Sequence, residues 1–468
     1  MKKNIFILIL LLGIITKSNS QKYISRQEAI NDIDFFFDQA EQIHPNLYFS
    51  ISKDDLDKII SKEKENINDS ISIDNFSRKM TVLANLIGDG HTNVYLSKNL
   101  RNLYYAEKTQ LPFEIRITGD KIFVKNPVTS QLKDNDNILS INNIPTNKLL
   151  KLKKLVIGDI NTPKIKEIEK YFSYYLFMGY GFTDTISLNI KRNGNRLTKP
   201  VTLSKRKKYV KRKKYSFTYI ADSVGVLTIN SFSGIHKKRY IHFLDSVFND
   251  IKMKKVNNLI IDVRNNGGGN SYYGALLLPY VNVEKYRFNQ KYFIKTSKPE
   301  KKYIRKRFIK WYLYPLYPFA YFSKMGRILL FKKNGTITEL QLEDEYLKPV
   351  ENSFNGNVYV LTSSNTYSAA ADFVVAFRYV NRGHIIGEAI GQPYCGFIDK
   401  IPVHLPNSEL QGGVSFKKYE YIGANKDNCN QRLKPDIKID FEKYKEKERL
   451  NKELIEIITN ANRIGGLD

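Results

Sequence analysis

Ser368 stands where an apolar, strand-like run, Val358-Tyr359-Val360-Leu361-Thr362, gives way to a helix-like run through Phe373, Val374, Ala376 and Phe377. A serine on a sharp strand-to-helix junction can expose its hydroxyl as a nucleophile. The following residue, Ala369, then offers a backbone N–H to a developing oxyanion. An N-capping serine would look the same locally. Two distant segments favour chemistry. Asn258-Leu259-Ile260-Ile261-Asp262-Val263-Arg264-Asn265-Asn266 is a buried-strand pattern closed by Gly267, Gly268 and Gly269, and glycines let backbone approach a ligand closely. Leu86-Ile87-Gly88-Asp89-Gly90-His91-Thr92 sets one of six histidines on a glycine-flanked turn after a helical run.

Together with Gly387-Glu388-Ala389-Ile390-Gly391, these segments resemble the C-terminal processing (tail-specific) serine peptidase family. The likeness is closer to its tricorn-core branch than to the branch that uses a serine–lysine dyad. It implies a crotonase-like peptidase core and a serine endopeptidase acting on proteins or peptides. Ser368 would be the nucleophile, and Gly268 with Ala369 would form the oxyanion hole. The dyad branch carries its lysine in a turn like Gly391-Gln392-Pro393, about two dozen residues after the serine. This chain has no lysine from Ala369 to Asp399. His91 is therefore the expected general base. Glu388 is the first candidate to orient it, with Asp89 and Glu420 as alternatives. A non-catalytic peptide- or ligand-binding protein on the same fold is the competing expectation.

The elements that must position these groups fall into three regions. Residues 21–105 read as helical, with Ile30, Ile33, Phe36, Phe37, Ala40 and Ile43 at helical spacing and further helices near 53–67 and 74–87. Residues 106–205 are β-rich. Gly119-Asp120 marks a hairpin, and Asp134-Asn135-Asp136-Asn137-Ile138 resembles a turn of PDZ domains, with Asn135 in place of the usual glycine. From 206 to 468, strands and helices alternate, which implies an α/β core with a mostly parallel sheet covered by helices. Active sites on such sheets gather at the strand C-terminal ends, where Ser368 and the glycine triple both fall. Residues 285–350 interrupt the alternation with an aromatic and basic insertion. It reads as a lid, a membrane-facing patch or a small packed unit.

Residues 1–20 read as a signal peptide: Lys2 and Lys3, an apolar stretch from Ile5 to Ile15, then Ser18-Asn19-Ser20. The expected product is an exported protein, periplasmic or extracellular. Its two cysteines, Cys395 and Cys429, are then expected to pair. No metal-ligand spacing is present, so no metal or cofactor is expected. The net charge is +28. Its concentration in residues 205–214 and 285–334 suggests an anionic membrane or envelope surface as partner; an exported chain without a nucleic-acid module argues against nucleic acid.

Overall fold

A computed structural model describes residues 22–159, 163–206, 212–444 and 446–464. The N-terminal segment expected to be a leader lies outside these, as do residues 207–211 of the first basic run.

The fold is α/β, and its central sheet is mostly parallel. Its strands run in the order Tyr215–Ala221, Val224–Ile229, Asn258–Asp262, Asn357–Thr362, His384–Gly387, Ile437–Lys438. Only the first pair is antiparallel. All five residues of Asn258–Asp262 are buried, because both faces are covered. Leu259 and Ile261 pack under helices Lys237–Met253 and Ala369–Tyr379 through Leu244, Phe248, Phe373 and Phe377. Ile260 points to the other face, onto Leu450, Leu454 and Ile458 of helix Lys447–Ile464. Each such fully buried side chain contributes roughly 1.5–3 kcal/mol.

A second sheet is antiparallel throughout, in the order Asn195–Thr202, Thr185–Arg192, Asn137–Ile141, Lys121–Lys125, Glu114–Thr118, with its own core around Ile122, Ile138 and Leu188. Asn135 has φ 69° in the turn before Asn137–Ile141, a left-handed conformation that asparagine tolerates. Two helices, Lys164–Lys170 and Phe172–Tyr180, broken at Tyr171, precede strand Thr185–Arg192. The first lies along the outer strand, where Ile117 N–H donates to Glu169 Oε1 at 2.6 Å.

A third sheet joins Ile337–Gln341, Asn289–Lys295, Gln411–Tyr421 and Cys395–His404. The short strand Asn93–Val94 pairs with Gly413 and Gly412, which fixes the segment after His91 to the body of the molecule. Part of the insertion thus belongs to this sheet, and its Ile294, Ile304, Ile328, Leu330 and Leu340 share a core with Phe36 and Phe76 of the N-terminal helices. It is not an isolated lid.

Cys395 and Cys429 form a disulfide with Cα atoms 4.9 Å apart. Their sulfurs lie near Glu420, but paired sulfurs do not ligate a metal. The bridge closes a span of 34 residues. Replacing both cysteines by serine is expected to cost about 3–4 kcal/mol, read as a lower melting temperature that reductant reproduces in the parent. Equal melting of parent and variant would show that the bridge constrains nothing.

Candidate active site

Ser368 sits at the N-terminus of helix Ala369–Tyr379 with φ 54° and ψ −129°, a conformation that costs a non-glycine residue on the order of 1–3 kcal/mol. Its hydroxyl makes no capping hydrogen bond, so the ordinary N-cap role is not the one it fills. Three bonds hold the strained turn. Tyr367 N–H donates to Asn266 O at 3.1 Å, Asp372 N–H donates to Ser368 O at 2.9 Å, and Ser368 N–H donates to Gln392 Oε1 at 2.6 Å. Gln392 lies 24 residues after the serine, in the turn where the related branch keeps its lysine. Here an uncharged amide fills the place and is bonded to the backbone of Ser368.

The glycine triple lies against this turn. A Cβ on Gly268 would fall 2.6 Å from Ser368 Cβ and 2.8 Å from Tyr367 O, and its φ is +105°. Only glycine fits there. Gly268 N–H currently donates to Asn266 Oδ1 at 3.0 Å, whereas Ala369 N–H has no partner among the described residues. Asn266 is fully buried and its Nδ2 has no partner.

His91 reaches the site from the N-terminal helices. Ser72 caps helix Ile73–Ala84, and Phe76, Met80 and Leu83 bury its inner face. A 3-10 turn, Asn85–Ile87, then ends at Gly88, whose φ of 79° turns the chain outward. The imidazole stacks on the ring of Tyr367, with centroids 5.6 Å apart. Its Nδ1 is buried without a partner, and no hydrogen bond joins His91 to Ser368 among the described residues. The expected direct contact is therefore not made in this structure: the Tyr367 ring occupies the imidazole face.

Two buried carboxylates fix the turn. Asp89 accepts His91 N–H at 2.9 Å, Thr92 Oγ1–H at 2.5 Å and Ser415 Oγ–H at 2.7 Å, and His44 Nε2 stands 3.4 Å away. Burial alone would raise the Asp89 pKa, but His44, His91 and the Thr92 hydroxyl hold it well below the usual carboxylate range. Asp159 accepts Gly90 N–H at 2.9 Å on one oxygen and Tyr367 O–H at 2.6 Å on the other. It thereby joins the residue before His91 to the residue before Ser368. Burial and the neighbouring Asp89 charge raise its pKa.

Glu388 is not brought to His91. Its strand runs on past Thr362, whose O accepts Glu388 N–H at 3.0 Å. The carboxylate accepts Ser364 N–H at 3.3 Å and lies 4.0 Å from Lys166. There it lines a cleft of about 740 Å³ with Lys166, Arg264, Asn265 and Ser364. That cleft includes neither Ser368 nor His91. Glu420 pairs with Lys418 at 3.0 Å, also away from the imidazole. Asp262 and Arg264 pair with each other at 2.6 Å.

Sequence reading missed Asp159, Tyr367, Gln392 and the network behind the serine. In that network Gln392 Nε2 meets Tyr421 O–H, Tyr421 O–H donates to Asp372 Oδ1 at 2.7 Å, and Ser271 O–H donates to Asp372 Oδ2 at 2.5 Å. The interval from Ser368 to Gln392 was a usable signal. Nothing local marked Asp159.

A strained serine over the C-terminal ends of a parallel sheet, against glycine backbone and with an imidazole stacked on the preceding residue, is an arrangement able to support acyl transfer. Residues 223–439 match the model of peptidase family S41. The match spans the strands and helices around Ser368, and the chain is a serine-type peptidase. Among solved structures, mature CPAF complexed with lactacystin is similar at 13% identity and TM-score 0.57, over 92% of this chain and 97% of that one. Mature CPAF alone is similar at 12% identity and TM-score 0.57, over 92% and 96%. The photosystem II D1 C-terminal processing protease aligns at 14% identity and TM-score 0.44, over 88% and 93%. At these identities the likeness to CPAF shows a shared fold. No curated protein matches the sequence.

Burial pushes the Asp372 carboxyl up to about 6, against the hydrogen bonds from Ser271 and Tyr421. A carboxyl whose folded pKa exceeds its unfolded value, near 4, keeps its proton longer when folded. Its contribution to stability is present at low pH and is lost as pH rises towards 6, at up to about 1.4 kcal/mol per pH unit. Asp372→Asn should remove that slope. Melts of both proteins from pH 4 to 7 should diverge, the variant gaining on the parent as pH rises. Parallel curves would contradict the assignment.

Proposed function

We propose that this chain is an exported endopeptidase that cleaves peptide bonds through a Ser368–His91 acyl-enzyme mechanism. The observation that carries this reading is the pairing of a strained, uncapped serine with Gln392 in place of a lysine. The turn that holds a lysine in the dyad branch holds an uncharged amide here, and His91, stacked on the residue before the serine, is the base this reading assigns. The Cys395–Cys429 bridge supports export, since such bonds persist in oxidising compartments. Among the described residues no helix is long and apolar enough to cross a membrane.

In the mechanism, Ser368 Oγ attacks the scissile carbonyl carbon as its proton passes to His91. The oxyanion is received by Ala369 N–H and by Gly268 N–H, once the latter exchanges Asn266 Oδ1 for the incoming charge. His91 then gives its proton to the leaving amine as the C–N bond breaks. Water, deprotonated by the same imidazole, attacks the acyl carbon, and the imidazole returns that proton to Ser368 Oγ as the Oγ–C bond breaks and the acid leaves. The imidazole has to swing off the Tyr367 face to do this, a rearrangement that substrate entering between them would drive. Asp159 acts as a positioning residue, and Asp89 holds the turn rather than the ring. Peptide joining the outer strand of the antiparallel, PDZ-like sheet would have to displace Glu169 from Ile117.

Ser368→Ala and His91→Ala should each lower turnover of a peptide library by about a thousandfold or more, and the double variant by little beyond either. Their melting temperatures should stay close to the parent's, because neither side chain makes a hydrogen bond through its reactive atom. Unchanged turnover in His91→Ala would remove the imidazole from the mechanism. Absence of turnover in the parent, with no fluorophosphonate labelling, would favour a binding role for the same site.

A further inference from the structure

The insertion carries a surface that the peptidase chemistry does not use. Ile304 anchors helix Lys298–Phe308 in the N-terminal core, and Tyr317 and Ala320 pack on the same cluster. Around these anchors the chain runs Trp311–Phe322, twelve residues of tight 3-10 turns of which none is buried. Trp311 is 79% and Phe322 77% exposed, and Tyr312, Tyr314, Leu316 and Phe319 are half exposed or more. Pro315 and Pro318 fix their backbone torsions and stiffen the run. Apolar side chains this dense on a water-facing surface mark an interaction site.

Its rim is cationic. From Lys298 to Lys333 there are eleven lysines and arginines and one acid, Glu300. That glutamate is fully buried, and none of the eleven is ion-paired among the described residues. The cations interleave with the rings: Lys310 lies 5.6 Å from the Tyr312 centroid and Arg305 5.9 Å from that of Tyr317, while Arg327 donates to the carbonyls of Tyr321 and Phe322.

We propose that this face docks the protein peripherally on an anionic lipid bilayer. Aromatic side chains, tryptophan and tyrosine above all, settle at headgroup level, where an apolar body and a polar tip are both satisfied. Unpaired lysines and arginines around them draw the face to anionic headgroups, each strengthening binding about fivefold near the surface. A soluble polyanion would meet the charge but leave the rings in water. The contact holds a peptidase at the membrane surface through residues seated at headgroup level.

Trp311 is the only tryptophan in the chain, so its emission reports this face alone. Residues 21–468, which lack the apolar N-terminal stretch, are mixed with phosphatidylcholine vesicles with and without phosphatidylglycerol. With phosphatidylglycerol, emission should shift to the blue and be quenched by brominated acyl chains. Pure phosphatidylcholine should bind at least roughly tenfold more weakly. Phe319→Ser with Phe322→Ser should weaken co-sedimentation by roughly tenfold or more at an unchanged melting temperature, since both rings are exposed. Three results would each overturn the proposal: no binding at low salt, binding without the emission shift, or the same shift with dextran sulfate in place of vesicles.

Discussion

One carboxylate ties the two halves of the site together. Asp159 takes Gly90 N–H from the turn that carries His91 and Tyr367 O–H from the turn that carries Ser368. These turns belong to different layers: helices and a short strand on one side, the parallel core on the other. Buried polar groups are expensive to leave unpaired, on the order of 1–3 kcal/mol each, so neither turn drifts without breaking a bond that water cannot replace. The price is a carboxyl sharing its low-dielectric surroundings with ionised Asp89, which is why its pKa is raised while Asp89 is held down. Around this clamp the remaining devices make sense. Asp89, His44, Thr92 and Ser415 make the His91 turn rigid, and Gln392, Tyr421, Asp372 and Ser271 make the serine turn rigid.

Strain at Ser368 is stored against that frame. Its hydroxyl makes no capping bond, and Ala369 N–H has no partner among the described residues at a helix N-terminus, where the backbone favours negative charge. Gly268 approaches so closely that no side chain fits between. The imidazole rests on Tyr367, the residue before the serine it is proposed to serve. In the proposed mechanism substrate binding supplies the last movement.

Much of this was legible in the sequence, for local reasons. The core strands and the serine helix follow from apolar runs and helical spacing, and the junction at Ser368 follows from their order. The glycine triple needed no structure to signal close backbone approach. Cys395 and Cys429 paired as number and compartment suggested. Other features had no local mark. Asp159 lies 69 residues from Gly90 and 208 from Tyr367, and a lone aspartate after a glycine has no periodicity to betray such bonds. Glu388 was drawn in by its motif, but strand direction turns it to the Lys166 cleft. The third sheet was invisible because its strands come from residues near 93, 290, 340 and 395–421, and pairing across such separations leaves no pattern in any one of them.

The central claim is that Ser368 is an activated nucleophile whose activation depends on the Asp159 clamp. The most direct measurement is the rate of fluorophosphonate labelling, with the adduct located by mass spectrometry, in the parent and in Asp159→Asn. The account predicts one adduct, on Ser368, and labelling slowed roughly tenfold to a hundredfold in a variant that still folds, because displacing a catalytic pair by about 1 Å is enough for such a loss. An adduct on another serine, or equal rates in the two proteins, would contradict it.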